Sequence, residues 1–141
     1  MKVLFICTAN SCRSQMAEAW ARHLYPADWE VKSAGLLIYR ITSRTRAAME
    51  EVGIAMEGQK PKTFDRFDLD SFDRIVTLSD EARRYLPRLE HPERHLARPI
   101  DDPMSARGTD AQVTEAFRRG REEIRKIVVS LLPSDNDEKD A

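Results

Sequence analysis

Residues 3–14, VLFICTANSCRS, decide the fold of this chain. The first four, VLFI, form an apolar run typical of a buried strand, and the residues that follow the stretch, QMAEAWA at 15–21, have the pattern of a helix. A loop of small and polar residues lies between the two. We therefore expect the thiol of Cys7 at the end of a strand and the guanidinium of Arg13 where a helix begins.

This arrangement suits a loop that surrounds a tetrahedral oxyanion. Backbone N–H groups of such a loop and the positive end of the helix both favour negative charge. The same field would favour the thiolate form of Cys7, which makes it a nucleophile. Arg13 can add a two-pronged contact to oxyanion oxygens. The alternative is that Cys7 is an inert core residue at the end of a strand.

Outward from this segment, strands and helices alternate along the chain, which predicts a parallel sheet covered on both faces. The fold class is therefore α/β, with three layers and a four-stranded parallel sheet flanked by helices. Strands are predicted at 2–6, 29–33, 74–78 and 95–98, and helices at 14–24, from Ser43 to Gly53, from Ser79 to before Pro87, and at 110–132. We expect one catalytic domain over residues 1–133 and a disordered acidic tail over 134–141.

Composition limits the classes of function. The chain has 141 residues, a net charge of −1 and two cysteines, both within the loop. These values argue against a disulfide framework, and neither nucleic acid nor a membrane surface is favoured as a partner. The three histidines show no ligand spacing, so no metal and no other cofactor is predicted. No secretion signal or apolar span is evident, which favours a cytoplasmic protein.

Residues 3–18, VLFICTANSCRSQMAE, resemble the signature of the low-molecular-weight protein-tyrosine-phosphatase superfamily, which includes a branch of arsenate reductases. The resemblance covers roughly residues 1–132 and continues through Ser33-Ala34-Gly35, 72–78 and the motif Ile100-Asp101-Asp102-Pro103. It implies the low-molecular-weight phosphatase topology, which is flavodoxin-like.

The resemblance also implies roles for individual residues. Cys7 would attack the central phosphorus or arsenic, Arg13 would hold the peripheral oxygens, and Asp102 would act as general acid on the leaving oxygen. Asn10 would keep the loop in a strained turn, and Ser14 would donate a hydrogen bond to the sulfur of Cys7. Cys12 is either filler or the partner of Cys7 in a reversible protective disulfide. The full oxyanion-binding loop then comprises Thr8, Ala9, Asn10, Ser11, Cys12 and Ser14 around the nucleophile.

Two activities fit these residues. The closer likeness is to arsenate reductases, and Met104-Ser105-Ala106 after the Asp-Pro motif is a poor platform for a phenyl ring. Thioredoxin-coupled reductases have extra cysteines after the third strand, whereas residues 79–87 contain none. An arsenate reductase of this kind would depend on a low-molecular-weight thiol or a thioredoxin- or glutaredoxin-type partner.

The alternative is a phosphatase that hydrolyses phosphotyrosine or small phosphate esters through a cysteinyl-phosphate. An idle oxyanion-binding module is a third reading, and it would predict a missing catalytic residue. Some reductases of the branch hold a potassium ion beside the loop through an acidic residue that aligns with Lys62, and this departure counts against a cation site here.

Overall fold

A computed structural model describes residues 1–133, and the predicted tail at 134–141 lies outside the described residues. The four strands are β1 (Lys2–Cys7), β2 (Glu30–Gly35), β3 (Arg74–Thr77) and β4 (His95–Ala97). The four α-helices are α1 (Arg13–Leu24), α2 (Ser43–Glu50), α3 (Asp80–Arg84) and α4 (Asp110–Ser130). All strand pairs are parallel, and the strand order is β2-β1-β3-β4. The predicted fold class is confirmed.

The central strand β1 carries the site to the sheet edge. Its residues Val3–Ile6 are fully buried, because β1 is paired on both sides and covered on both faces. The chain passes from β1 to β2 on one side of β1, and it then crosses to β3 on the other side. In open parallel sheets, ligands bind at the carboxyl ends of strands where the chain order reverses in this way. Cys7 ends β1 at that point.

Helices cover both faces of the sheet, and alternate side chains of β1 point into the core on one face or the other. Val3, Phe5 and Cys7 belong to the larger core cluster, which includes residues of α1, α2 and α4. Leu4 and Ile6 belong to a smaller cluster with residues of β3 and α3. On the larger side, Trp20 Nε1 donates to the carbonyl of Arg121 at 3.1 Å and joins α1 to α4. The molecule therefore has the predicted three layers.

The boundaries differ from the sequence expectations at two places near the site. Strand β2 runs on through Gly35 instead of ending at Ser33, because Gly35 pairs with Cys7 in the parallel ladder. The cap of α2 is Thr42 rather than Ser43, since the Thr42 hydroxyl accepts a hydrogen bond from the amide of Thr45. Within residues 1–133, no helix is both long and apolar enough to cross a bilayer.

Candidate active site

The loop between β1 and α1 turns back sharply against β2. Asn10 has a positive φ of 49°, a left-handed conformation that asparagine tolerates better than most residues. Gly35 allows the close approach of the loop to β2, because a Cβ there would lie 2.6 Å from the amide nitrogen of Asn10 and 2.8 Å from the carbonyl carbon of Ala9. Asn10 therefore lies in a left-handed turn, and the close approach of this turn to β2 depends on a glycine in the neighbouring strand.

The carbonyl groups of the loop bind the segment that follows β2. Three successive carbonyls accept hydrogen bonds from this segment. The Cys7 carbonyl accepts from the Leu36 amide at 3.3 Å. The Thr8 carbonyl accepts from the Leu37 amide at 2.9 Å, and the Ala9 carbonyl accepts from the Tyr39 amide at 3.0 Å. These bonds hold the peptide planes of the loop in one orientation. The orientation of the loop is thus held by hydrogen bonds within the protein.

The amide groups of the same loop have no partner. Within residues 1–133, the N–H groups of residues 8–13 donate to no protein acceptor, although Asn10, Ser11 and Cys12 are buried. Helix α1 also begins without a side-chain cap and without an acidic residue in its first turn. Buried unpaired amides cost free energy unless an acceptor satisfies them. An oxyanion with several acceptor oxygens is the group that meets this need.

The thiol of Cys7 receives hydrogen bonds from the start of α1. Its sulfur lies 2.8 Å from Ser14 Oγ and 3.4 Å from the amide nitrogen of Ser14. Asn10 Nδ2 donates to Ser14 Oγ at 2.7 Å, which leaves the Ser14 hydroxyl hydrogen free to point at the sulfur. This arrangement stabilises negative charge on the sulfur of Cys7.

The side chain of Asn10 is fully engaged in a buried polar network. Its Nδ2 also donates to Ser33 Oγ at 3.1 Å, and its Oδ1 accepts from Gln15 Nε2 at 2.9 Å and from the amide of Lys62 at 2.9 Å. Both amide hydrogens and both lone pairs are therefore used. An aspartate could not replace Asn10 here, because it has no hydrogen to donate to Ser14 or Ser33.

The network ends at a buried carboxylate, Glu18, which sequence reasoning did not single out. Ser33 Oγ donates to Glu18 Oε1 at 2.7 Å, Arg22 Nε donates to Glu18 Oε2 at 3.0 Å, and Lys62 Nζ lies 3.7 Å from Glu18 Oε1. Burial lowers the pKa of Lys62 below its ordinary value, and the charge of Glu18 opposes that shift. Two cationic side chains thus already face the single carboxylate.

This arrangement does not fit the potassium ion that some related reductases hold beside the loop. The ammonium of Lys62 lies 3.7 Å from Glu18 Oε1, where its positive charge would repel an added cation. In the described part of the chain, no three His, Cys, Asp or Glu side chains come together as a metal site. The loop is supported by a side-chain cation of the protein itself.

The guanidinium of Arg13 connects the loop to the Asp-Pro segment. Its Nη1 donates to the carbonyl of Ile100 at 3.1 Å, and its Nη2 donates to Thr8 Oγ1 at 3.4 Å. The same Nη2 lies 3.7 Å from Asp102 Oδ2, so the structure brings Arg13 and Asp102 together. The other Asp102 oxygen accepts from the amide of Met104 at 3.0 Å and caps a short 3-10 helix at Pro103–Ser105.

Cys12 is a buried residue of the loop and lines the same cavity as Cys7. Burial raises the pKa of its thiol to about 12, and the Cys7 sulfur adds to the shift. Both cysteines are free thiols in this structure. A protonated thiol is a poor nucleophile, so Cys12 is not prepared to attack a neighbouring adduct near neutral pH.

The cavity above Cys7 has a volume of about 330 Å³ and a mostly apolar mouth. Sequence reasoning placed Asp102 and Met104 beside the site, but it missed Leu37, Ile38 and Tyr39, which also line the cavity. These three side chains are 64%, 59% and 44% exposed. The apolar run LLIY at 36–39, which follows the predicted second strand after Ala34 and Gly35, was the only signal of this wall.

On the opposite side of the loop, Thr8 connects β1 to the start of α3. Thr8 Oγ1 lies 3.1 Å from Ser79 Oγ and 3.3 Å from Glu81 Oε2. A backbone hydrogen bond lowers the pKa of Glu81, and the Thr8 hydroxyl and Arg13 lower it further. Ser11 is turned toward the other wall, where its hydroxyl donates to the carbonyl of Arg40 at 2.6 Å. Both hydroxyls therefore fix the loop in place.

Comparisons with known proteins agree with this geometry. An arsenate reductase of Halalkalibacterium halodurans is 38% identical over 126 residues, which are 89% of this chain and 91% of that protein. A solved structure described as an arsenate reductase in the phosphate binding state has a TM-score of 0.78 and 34% identity, and the match covers 92% of this chain and 95% of that one. A low molecular weight protein tyrosine phosphatase from T. tengcongensis has a TM-score of 0.77 and 25% identity, and the match covers 93% of this chain and 97% of that one.

The family model described as low molecular weight phosphotyrosine protein phosphatase matches residues 2–134. That match spans the strand, the loop around Cys7 and the Asp-Pro segment described above. This chain belongs to the low molecular weight phosphotyrosine protein phosphatase family, as its loop and sheet topology predict.

Proposed function

We propose that this chain is an arsenate reductase that converts arsenate to arsenite with an external thiol. The observation that carries the proposal is the row of unpaired buried amides around the sulfur of Cys7, together with Arg13. A tetrahedral oxyanion satisfies these donors. The names of the curated relatives, which are arsenate reductases at 33–38% identity, support arsenate over a phosphate ester.

In the first step, the thiolate of Cys7 attacks arsenic and a Cys7–As bond forms. One oxygen leaves as water with a proton from Asp102, which lies at the mouth of the cavity. Arg13 and the loop amides hold the remaining oxygens and stabilise the charge that develops on them. Arsenic stays at As(V), because this step only exchanges an oxygen for sulfur.

The electrons must come from outside the chain. The sequence has two cysteines, and Cys12 is buried with a pKa of about 12. The far side of the Cys7 sulfur is occupied by Ser14, so an external thiol approaches arsenic from the mouth of the cavity, opposite Cys7. There it gives its proton to Asp102, forms a new S–As bond and releases the Cys7 thiolate.

A second thiol completes the reaction. It attacks the sulfur of the arsenic-bound thiol, the S–As electron pair passes to arsenic, and As(V) becomes As(III). The sum is one arsenate and two thiols converted to one arsenite, one disulfide and one water, with arsenate and arsenite written at the same state of protonation. The thiol that joins arsenic is a low-molecular-weight thiol. The thiol that then attacks its sulfur belongs to a second such molecule or to a thioredoxin- or glutaredoxin-type protein.

Phosphatase activity is the second candidate, and the mouth of the cavity favours it. Water can take the place of the incoming thiol opposite Cys7, with Asp102 as its base. The apolar wall of Leu37, Ile38 and Tyr39 offers contact area to an aryl leaving group. Such a phosphatase would act on phosphotyrosine or small aryl phosphates, and would need no second thiol.

One experiment separates the two activities. The purified protein is given para-nitrophenyl phosphate without thiols and, separately, arsenate with glutathione and a redoxin. We expect arsenite only in the second mixture, at a kcat/KM well above that for the aryl phosphate. Efficient aryl phosphate hydrolysis without arsenite would refute the reductase.

The variant Cys7→Ser is the control for both reactions. It should lose turnover and still bind phosphate, because the amides and Arg13 are unchanged. Retained turnover in this variant would remove Cys7 as the nucleophile.

A further inference from the structure

A second cavity adjoins the catalytic one and shares Asp102 with it. It has a volume of about 380 Å³ and lies between the Asp-Pro segment and the middle of α4. Ala106 and Ala116 contribute small side chains to its walls. A molecule in this cavity therefore contacts the same carboxylate that borders the space above Cys7.

Of the four charged side chains that line this second cavity, Asp102 lies 3.7 Å from Arg13 Nη2, whereas the other three have no partner among residues 1–133. Asp101, Arg119 and Glu123 line it, and none of the three makes an ion pair or side-chain hydrogen bond within residues 1–133. Arg119 and Glu123 are one helical turn apart on α4, a spacing that often allows an ion pair, yet they do not form one. A cationic and two anionic groups are thus available to one ligand.

The neighbouring arginines of α4 behave differently. Arg118 lies 2.6 Å and Arg121 lies 2.8 Å from carboxylate oxygens of Glu51, on the side of α2. Their charges are used to join the two helices. Arg119 is therefore the arginine of this run that remains for a ligand at the second cavity.

We propose that the second cavity binds the external thiol, and that this thiol is a small zwitterion with carboxylate and ammonium groups. Arg119 pairs with a carboxylate, while Asp101 and Glu123 pair with the ammonium. The thiol then extends past Asp102, which takes its proton as the sulfur joins arsenic and Cys7 leaves. This assignment rests on the proposed reductase function, whose electron balance requires such a thiol.

Two reducing thiols test the assignment: glutathione, which carries two carboxylates and an ammonium, and 2-mercaptoethanol, which carries no charge. In arsenate reduction, Arg119→Gln should raise the KM for glutathione about fivefold, the size of a partly exposed ion pair. The rate with 2-mercaptoethanol should change by much less. Arg119→Lys should recover part of the glutathione affinity, and high salt should reduce the difference between the variants.

The matched control is Lys126→Gln, which removes an exposed charge from the same helix outside the cavity. It should alter neither thiol's KM. Equal losses with both thiols in Arg119→Gln, or no loss with either, would overturn the assignment.

A failure of the proposed function is distinguishable from a failure of this site. If no thiol supports arsenate reduction, S-methylglutathione is titrated against labelled protein and followed by NMR. Saturable shifts in residues 101–106 and 116–123 that weaken in Arg119→Gln would support the site without the activity. The lack of saturable shifts there would overturn it.

Discussion

Gly120 lies in the middle of α4, where glycine costs about 1 kcal/mol of stability relative to alanine. The structure explains why a glycine is found there. A Cβ on Gly120 would lie 2.7 Å from Cγ of Pro103, the residue that follows Asp102. Carbon atoms normally approach to about 3.5–4.0 Å, so Gly120→Ala must move the proline ring by about 1 Å.

The expected effect of Gly120→Ala is therefore on catalysis more than on stability. The gain in helix propensity, about 1 kcal/mol, opposes the cost of overpacking, which is typically about 1–3 kcal/mol. The displaced loop carries Asp102, and a misplacement of about 1 Å can cost roughly a hundredfold in rate. We expect kcat to fall by roughly ten- to a hundredfold while the free energy of unfolding changes by less than about 2 kcal/mol.

Arsenate reduction and urea unfolding of the same preparation measure the two quantities. Val129→Ala is the matched control, because Val129 is an exposed residue of the same helix and does not line the cavity beside Pro103. It should leave kcat nearly unchanged. A Gly120→Ala protein with normal kcat and increased stability would refute the view that this contact positions Asp102.

Three other predictions concern single groups. Asp102→Asn keeps an oxygen that accepts from the Met104 amide, but it loses the proton of the carboxylic acid. Hydrolysis of an aryl phosphate with a poor leaving group should therefore slow roughly a hundredfold. An unchanged rate for phenyl phosphate would contradict the acid role. Burial raises the pKa of Cys12 to about 12, so iodoacetamide at pH 8 should label Cys12 only after denaturation. Peptide mass spectrometry measures the labelling. Rapid labelling in the folded protein would contradict the burial of this thiol. Hydrogen bonds from Arg118 and Arg121 lower the pKa of Glu51 from 4.5 to about 2. The stability that the ionised Glu51 carboxylate contributes is therefore present above pH 4.5, and it is lost as the pH falls toward 2. The difference in unfolding free energy between wild type and Glu51→Gln should shrink over that range, with Glu50→Gln as control, and a constant difference would count against the ion pairs.

Much of the fold could be predicted because short-range patterns determine it. The run VLFI forms the buried central strand, and Asn10 takes the left-handed turn that its residue type permits. The boundary of β2 was wrong by two residues because its last residues pair with β1 across the sheet, an effect that local sequence does not contain.

The site residues that sequence reasoning missed depend on contacts between distant segments. Glu18 reads as an ordinary helix residue, and its burial follows from Ser33 on β2 and Lys62 in a later loop. Leu37 and Tyr39 belong to a segment without helical or strand periodicity, and their amides bind the catalytic loop. Such residues can be assigned only once the chain is folded.

The unpaired amides of residues 8–13 have a thermodynamic consequence for the whole molecule. Any tetrahedral anion that satisfies them binds the native state alone and so shifts the folding equilibrium. Inorganic phosphate at a hundred times its dissociation constant would add about 2.7 kcal/mol of stability. Phosphate would thus also stabilise the folded protein against unfolding, and the melting temperature of this protein will depend on the buffer chosen.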